Sequence, residues 1–171
     1  MYTYDSGSKD FESNQYRIIN KRDFAEMQRA SGLLYLVVTA LRKLSRVTGR
    51  TLYRGVRGEA SLDKDHYHKG NVVTWSALSS TSPDMEATKA FLMKGSKGGK
   101  ETGTLFIIDK GWGYDIQPYS LFPDEEEILL EPERQFRVVS VLKAALTIIN
   151  LGMLDTSLSV PEVFGGGSWC R

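Results

Sequence analysis

One cysteine among 171 residues, Cys170, has no partner for an intrachain disulfide, so packing alone must hold this fold and a reducing compartment is tolerated. Set in a glycine-rich tail with no predictable orienting neighbour, Cys170 is also a poor candidate nucleophile. Long apolar runs are missing. The longest, residues 33–38, is far short of the roughly 20 residues a bilayer requires, and residues 1–20 are polar and lack the charged-then-apolar plan of a signal peptide. A surplus of either charge is missing too: 22 basic residues face 21 acidic ones, for a net charge of +1. Such a chain carries no global field to hold nucleic acid or an anionic membrane, so neither is expected as a partner, and any partner is chosen locally. Histidine is scarce. His66 and His68 are the two in the chain, and with Asp63 and Asp65 they lack a convincing spacing for a further ligand; a polar loop and no metal are expected. No Gly-x-Gly-x-x-Gly turn and no phosphate loop ending in Lys-Ser or Lys-Thr occurs, so the familiar nucleotide folds lack support.

What is present fits one soluble globular domain, with 41% hydrophobic and 25% charged residues. The expected layout is a single domain over residues 1–171, monomeric. It has a helical N-terminal part at 1–48, a mixed strand core at 49–151 with one helix at 83–94, and a C-terminal tail at 152–171. Between Asp23 and Leu44, Phe24, Met27, Leu33, Leu36, Val37, Ala40, Leu41 and Leu44 recur at helical spacing, with Gly32 expected to break the helix in two. After Gly49 the pattern turns β-prone: residues 51–56, 71–75, 103–109, 127–130, 135–142 and 145–150 read as strands. Ser82 and Pro83 read as N-cap and first residue of a helix whose Met85, Ala87, Ala90 and Phe91 face inward until Gly95. Helices first and mostly antiparallel strands afterwards give an α+β fold.

Three constellations stand out. In Tyr53-Arg54-Gly55 a guanidinium sits on a strand beside a residue without a side chain. It suits a pair of phosphate oxygens, and Gly55 allows a flat ligand group to approach the backbone; an edge-strand arginine paired with a surface carboxylate is the competing reading. Ser79-Ser80-Thr81-Ser82 places four hydroxyls where a strand gives way to a helix. One suffices for a cap, and the others remain for a carboxylate, for ribose oxygens, or for turn hydrogen bonds. Asp124-Glu125-Glu126-Glu127 runs into Ile128-Leu129. Strand alternation would send Glu125 and Glu127 to one face and Glu126 to the other. The cluster is either a solvated acidic turn or a site that recruits a guanidinium or an oxocarbenium ion.

In this order the three resemble the arginine-serine-glutamate signature of mono-ADP-ribosyltransferases, in particular the arginine-specific branch with its Glu-x-Glu pair. Leu52-Tyr53-Arg54-Gly55-Val56 resembles the family's first core strand. Lys69-Gly70-Asn71-Val72-Val73-Thr74-Trp75 leading to Ser80-Thr81-Ser82 resembles its second, and Asp115-Ile116, Tyr119-Ser120, Phe122-Pro123 and Glu125-Glu126-Glu127-Ile128-Leu129 resemble its target-recognition loop and Glu-x-Glu strand. The likeness covers residues 34–142. It implies two antiparallel sheets packed across each other, flanked by helices, with NAD⁺ as co-substrate in the cleft between them. It also implies catalytic roles for Arg54, Ser80, Glu125 and Glu127, NAD⁺ contacts from Tyr53, Arg54, Gly55, Ser80, Thr81, Ser120 and Glu127, and target recognition by Tyr119, Phe122 and Glu125. Arg54 would clamp the phosphates, Gly55 meet the nicotinamide amide, Ser80 orient Glu127, Glu127 hold the ribose 2′-hydroxyl, and Glu125 orient and deprotonate an acceptor arginine on a partner protein. The vertebrate cell-surface members' disulfides are ruled out here, so the resemblance implies a cytoplasmic enzyme or a bacterial effector or toxin domain reaching a host cytosol after secretion. Two other activities fit the same pocket, an NAD glycohydrolase with water as acceptor and a non-catalytic binder of NAD⁺ or protein; Glu125 argues against the first and intact Arg54, Ser80 and Glu127 against the second.

Overall fold

In a computed structural model, the protein is described over residues 24–57, 66–93, 103–121, 124–144 and 146–154. Of the expected tail at 152–171, Gly152 and Met153 belong instead to the last strand and residues 155–171 lie outside the described residues, as do Asp63, Asp65 and Phe122.

Helix α1 spans Phe24–Leu41. Leu34, Val37, Leu41 and Leu44, spaced at helical steps, turn one face onto Leu78, Tyr114 and Leu129. The helix runs through Gly32 unbroken, contrary to the expected break. Gly32 is exposed, with nothing within 4 Å of where a Cβ would stand. A helical glycine costs about 1 kcal/mol relative to alanine, which the surrounding Leu, Ala and Val residues absorb. No helix among the described residues is long and apolar enough to cross a membrane.

The strands are β1 (Arg46–Arg57), β2 (Val72–Trp75), β3 (Ser79–Thr81), β4 (Gly103–Asp115), β5 (Ile128–Leu130), β6 (Arg134–Lys143) and β7 (Thr147–Met153), with helix α2 (Met85–Met93) between β3 and β4. Hydrogen bonding joins them in the order β2-β6-β7-β4-β5-β3, while β1 lies along β4. Every pairing is antiparallel except β4 with β7. The two-sheet arrangement implied by the sequence takes the form of one curled sheet, in which the long β4 serves both halves. Its N-terminal part pairs with β7 and its last residues, Tyr114 and Asp115, with β5. A bridge between Tyr53 and Ser82 then ties the end of β3 back to β1, closing a ring β1-β4-β5-β3.

Two clusters fill the curl. The larger gathers Leu52, Phe106, Ile108, Phe136, Val138, Ile149 and Leu151 around Ile128 and Leu130; the smaller, under α1, takes Leu129. Strand β5 is therefore buried on both sides, because its three consecutive apolar residues alternate between two cores. At about 1.5–3 kcal/mol per buried aliphatic side chain, Ile128, Leu129 and Leu130 fix β5 firmly. Gly113 makes the close approach possible: a Cβ there would stand 2.8 Å from the Leu129 carbonyl oxygen and from Ile128 Cγ2.

Ser79–Thr81 form a strand of their own at the expected passage from strand to helix, and the following helix starts later than expected. Ser82 Oγ accepts from the Asp84 amide, and Asp84 Oδ1 accepts from the amides of Glu86 and Ala87, so Asp84 is the N-cap. The register shift moves the buried face of α2. Thr88 and Leu92 turn inward, while Ala87, Ala90 and Phe91 are exposed. Leu92 packs onto β1 at Gly55, where a Cβ would lie 2.9 Å from Leu92 Cγ.

Candidate active site

The ring closure brings the three sequence constellations together. Arg54 lies on β1, on the same side as Leu52 and Val56, and its Nη1 donates to the Ser80 carbonyl oxygen at 2.7 Å. Among the described residues no carboxylate holds Arg54, as the competing reading of an edge-strand ion pair would require. The guanidinium instead stands over Trp75, with Cζ 5.6 Å from the ring centroid.

On β3, period-two alternation sorts the hydroxyls. Ser79 and Thr81 are buried, donating to the carbonyl oxygens of Ala77 (3.1 Å) and Ile128 (2.6 Å). Ser82 caps Asp84. Ser80 projects to the opposite side from Ser79 and Thr81, and among the described residues its hydroxyl has no such bond. Thr81 is thereby committed to holding β3 on β5.

Glu127 immediately precedes β5 rather than opening it. Its carbonyl oxygen accepts from the Ile116 amide at 3.0 Å, which anchors the end of the acidic turn to the end of β4. Its Oε1 is buried with no hydrogen-bond partner among the described residues. A buried acceptor left unsatisfied costs about 1–3 kcal/mol; Arg134 Nε is the other such buried atom among the described residues. Thr81 faces Ile128 across the β3–β5 ladder, and Ser82 bridges to Tyr53. Glu127 is thus about two strand spacings, or roughly 10 Å, from β1, a gap that a ribosyl group and its phosphates can bridge.

Tyr53 exchanges both backbone bonds with Ser82, at 2.7 and 2.8 Å, so its N–H and C=O point away from β4. Alternation carries the same direction to Gly55, whose N–H and C=O face the free edge of β1 beyond Ser82. The glycine has two structural consequences, close packing of α2 on one side and an open backbone edge for a ligand amide on the other.

The other acids diverge. Asp124, Glu125 and Glu126 are exposed, and because they lie in a turn, strand alternation does not place Glu125 beside Glu127 as the sequence suggested. Glu126 Oε2 is 3.7 Å from Arg50 Nη2 on β1, where two register shifts interrupt the β1–β4 ladder. Tyr119 ends a short 3₁₀ turn, Gln117–Tyr119, and is 70% exposed, with Leu121 beside it at 61%. Ser120 follows, partly buried, its amide bonded to the Gln117 carbonyl. Leu121 was not singled out from the sequence; its signal was an apolar residue within a loop otherwise rich in turn formers.

A second polar centre, at the far end of β5, went unnoticed in the sequence. Glu131, 5% exposed, accepts from Arg42 Nε and Nη2 (3.1 and 3.2 Å), Tyr114 Oη (2.8 Å) and Arg134 Nη2 (2.8 Å). Arg46 donates to Tyr114 Oη at 3.4 Å, and both Arg46 and Arg134 stand over the Trp112 ring. Burial pushes the Glu131 carboxyl upward, but hydrogen bonds from Arg42 and Tyr114 and the charges of Arg42 and Arg134 outweigh it, leaving the pKa below the usual carboxylate range. Burial lowers the Arg134 pKa against the opposing pull of Glu131.

Comparisons with known proteins identify the family and the fold. The family profile for NAD:arginine ADP-ribosyltransferase matches residues 18–157. NAD(P)(+)--arginine ADP-ribosyltransferase 1 of Gallus gallus is 34% identical over an alignment of 127 residues that covers 70% of this chain and 36% of that protein; the chain thus spans about a third of this curated relative. Among solved structures, the Vis toxin, an ADP-ribosyltransferase from Vibrio splendidus, superimposes with a TM-score of 0.63 at 26% identity, covering 89% of this chain and 73% of that one. A structure of Vis in complex with agmatine matches at 25% identity with a TM-score of 0.59, over 88% of this chain and 66% of that one. The fold is also that of the ADP-ribosyltransferase HopU1 of Pseudomonas syringae pv. Tomato (TM-score 0.64, 23% identity, covering 83% of this chain and 66% of that one). With the family's arginine, serine and glutamate words assembled at one closed ring of strands, and a family match over most of its length, this chain belongs to the NAD:arginine ADP-ribosyltransferases.

Proposed function

We propose that this protein is an NAD⁺-dependent mono-ADP-ribosyltransferase, moving ADP-ribose from NAD⁺ to the side chain of a protein arginine with release of nicotinamide. The observation that carries the reading is the juxtaposition of Arg54, Ser80 and Glu127 across β1, β3 and β5, with Glu127 Oε1 buried and awaiting a donor. NAD⁺ suits this arrangement. Arg54, with Nη1 engaged by Ser80, keeps its remaining N–H donors for the diphosphate. Tyr53 and Ser80 are NAD⁺ contacts at this junction, Thr81 serves it by fixing β3 through its bond to the Ile128 carbonyl, and the Gly55 edge offers one donor and one acceptor to the nicotinamide carboxamide. Ser120, in the turn after β4, is a further NAD⁺ contact.

Cleavage of the bond between nicotinamide and ribose develops positive charge on the ribose ring. Glu127 accepts the ribose 2′-hydroxyl, satisfying its buried oxygen, and its charge stabilises the oxocarbenium-like transition state. Ser80 orients the Glu127 carboxylate. The acceptor guanidinium remains protonated at neutral pH, so it must be positioned and lose a proton as it attacks C1′. Glu125, exposed at the mouth of the turn, does both, while Tyr119, Phe122 and Glu125 meet the target protein. A small guanidino molecule, agmatine, is held by the structurally similar Vis enzyme, which supports a guanidinium as the acceptor chemistry. We further place the activity in the cytosol of a host cell reached after secretion, with the enzyme acting as a monomer and without a metal; the likeness to a bacterial toxin supports this setting.

The test supplies purified protein with labelled NAD⁺, with and without agmatine, for wild type, Glu125→Gln and Glu127→Gln. Glu127→Gln should lose both nicotinamide release and transfer, whereas Glu125→Gln should lose transfer and keep part of the hydrolysis. Normal transfer by Glu125→Gln would remove the arginine assignment. Nicotinamide release indifferent to agmatine would replace the transferase reading with an NAD glycohydrolase.

A further inference from the structure

A lone guanidinium on a strand is flexible, and a diphosphate clamp gains affinity when its donors are held in advance. The contacts behind Arg54 supply such a hold. Trp75, the last residue of β2, lies under the guanidinium at 5.6 Å from ring centroid to Cζ. Its ring is fixed on two sides by aromatic neighbours, edge-on to Phe106 at 5.1 Å and tilted against Phe136 at 4.5 Å. Its Nε1 donates to the Tyr67 hydroxyl at 3.0 Å. Tyr67 in turn packs on Phe106 at 5.3 Å. The loop that carries it is tied to β6: the Gly70 amide donates to the Val138 carbonyl and the Val138 amide to the Asn71 carbonyl, both at 2.8 Å.

We infer that Trp75 and Tyr67 are positioning residues for NAD⁺ binding: Tyr67 fixes the plane of the indole, and the indole face fixes the Arg54 guanidinium for the diphosphate. Two restraints then act on one cation. The Ser80 carbonyl sets its direction within the ring of strands, and Trp75 sets the plane on which it rests. Neither aromatic residue need touch the substrate. The inference rests on the proposed role of Arg54 and adds the residues that make it effective. A cation over an aromatic face contributes about 0.5–2 kcal/mol, or roughly twofold to thirtyfold in affinity.

The experiment measures NAD⁺ binding by calorimetry, and thermal midpoints, for Tyr67→Phe, Trp75→Phe and Trp75→Leu, each in the wild-type and the Arg54→Ala background. Trp75→Leu should raise Kd about tenfold, Trp75→Phe should recover much of the loss because it keeps a ring face, and Tyr67→Phe should raise Kd about twofold to threefold. In the Arg54→Ala background these substitutions should change Kd no further, because the cation they hold is gone. Tyr67→Phe keeps the fold independent of the outcome, since it removes one hydroxyl and leaves the ring packing. If wild-type protein binds no NAD⁺, or Arg54→Ala binds it as well as wild type, the reading of the site falls and the platform with it. If Arg54→Ala weakens binding while the aromatic substitutions add the same factor in both backgrounds, the platform alone is overturned.

Discussion

Glu127 and Glu131 flank the same three apolar residues of β5, yet the two carboxylates live in opposite circumstances. Glu131 is buried and saturated, with bonds from Arg42, Tyr114 and Arg134. Glu127 has a buried oxygen with no donor among the described residues. Both sit beside a strand anchored in two cores, so neither is free to drift toward better partners. One end of β5 uses a carboxylate to hold α1, β4 and β6 together. At the other end, Glu127 Oε1 has no donor among the described residues, a local cost that a substrate hydroxyl would remove in the proposed reaction. Rigid support and an unmet hydrogen bond are thus supplied by one element, which is how a preorganised site differs from a merely polar one.

The contrast makes opposite predictions for the same chemical change. Glu127→Gln should lower kcat/KM for NAD⁺ cleavage by about a hundredfold to a thousandfold, the usual effect of losing one preorganised charge. Its folding stability should stay within about 1 kcal/mol of the wild type, because Glu127 Oε1 has no donor among the described residues whose bond the substitution would break. Glu131→Gln should do the reverse. It leaves the Arg134 guanidinium buried without a counter-charge, which costs about 3 kcal/mol, the low end for a broken buried pair. The low end applies because Arg42, the other ionic partner, is largely exposed and loses little. Urea unfolding and steady-state rates on the same two proteins check both statements; equal losses of activity and stability in each would erase the distinction.

The sequence made one of these glutamates legible and hid the other. Glu127 belongs to a run of acids next to apolar residues, and order along the chain with Arg54 and Ser80 is enough for the family resemblance. Glu131 sits before a proline and a left-handed turn, and its partners come from residues 42, 114 and 134, a convergence that no local pattern reports. The centres of most strands were legible because β-branched and aromatic runs are bounded by glycine and polar residues, but β1 begins at Arg46 rather than 51, inside the part expected to be helical, and β4 runs to Asp115 rather than 109. The serine segment was not, because β3 is three residues long and is made a strand by pairing with β5 rather than by propensity. The start of α2 shifted because Ser82 and Asp84 are both competent caps, and it is Asp84 whose carboxylate takes the amides of Glu86 and Ala87. Trp75 offered a signal that was not used: Val73 and Trp75 alternate onto one face of β2, beneath the strand that carries Arg54.

Acid should expose the same asymmetry more gently. The Glu131 pKa is lowered by folding, so its contribution is fully present above the unfolded value of about 4.3 and is lost as pH falls through the lower folded value. Wild-type stability should therefore drop below about pH 4, and Glu131→Gln should show a shallower fall over that window. Equilibrium unfolding at a series of pH values measures both slopes. Parallel slopes would mean that other carboxylates carry the acid sensitivity.

The smallest expected effect concerns the turn that aims Glu131 and Arg134 at each other. Glu133 between them has φ of 60°, the left-handed region. That conformation costs a residue with a Cβ about 1–2 kcal/mol, while glycine adopts it without strain but gives up about 0.5–1 kcal/mol in chain entropy. Glu133 is exposed, so its side chain adds little of its own, and Glu133→Gly should stabilise the fold by about 0.5 kcal/mol. Glu133→Ala keeps the strain and should give no gain. Because the turn acts only at the saturated end of β5, NAD⁺ cleavage should be the same in both variants; a change in rate would show that the two ends are coupled through the strand, and the division between a structural and a chemical carboxylate would no longer hold.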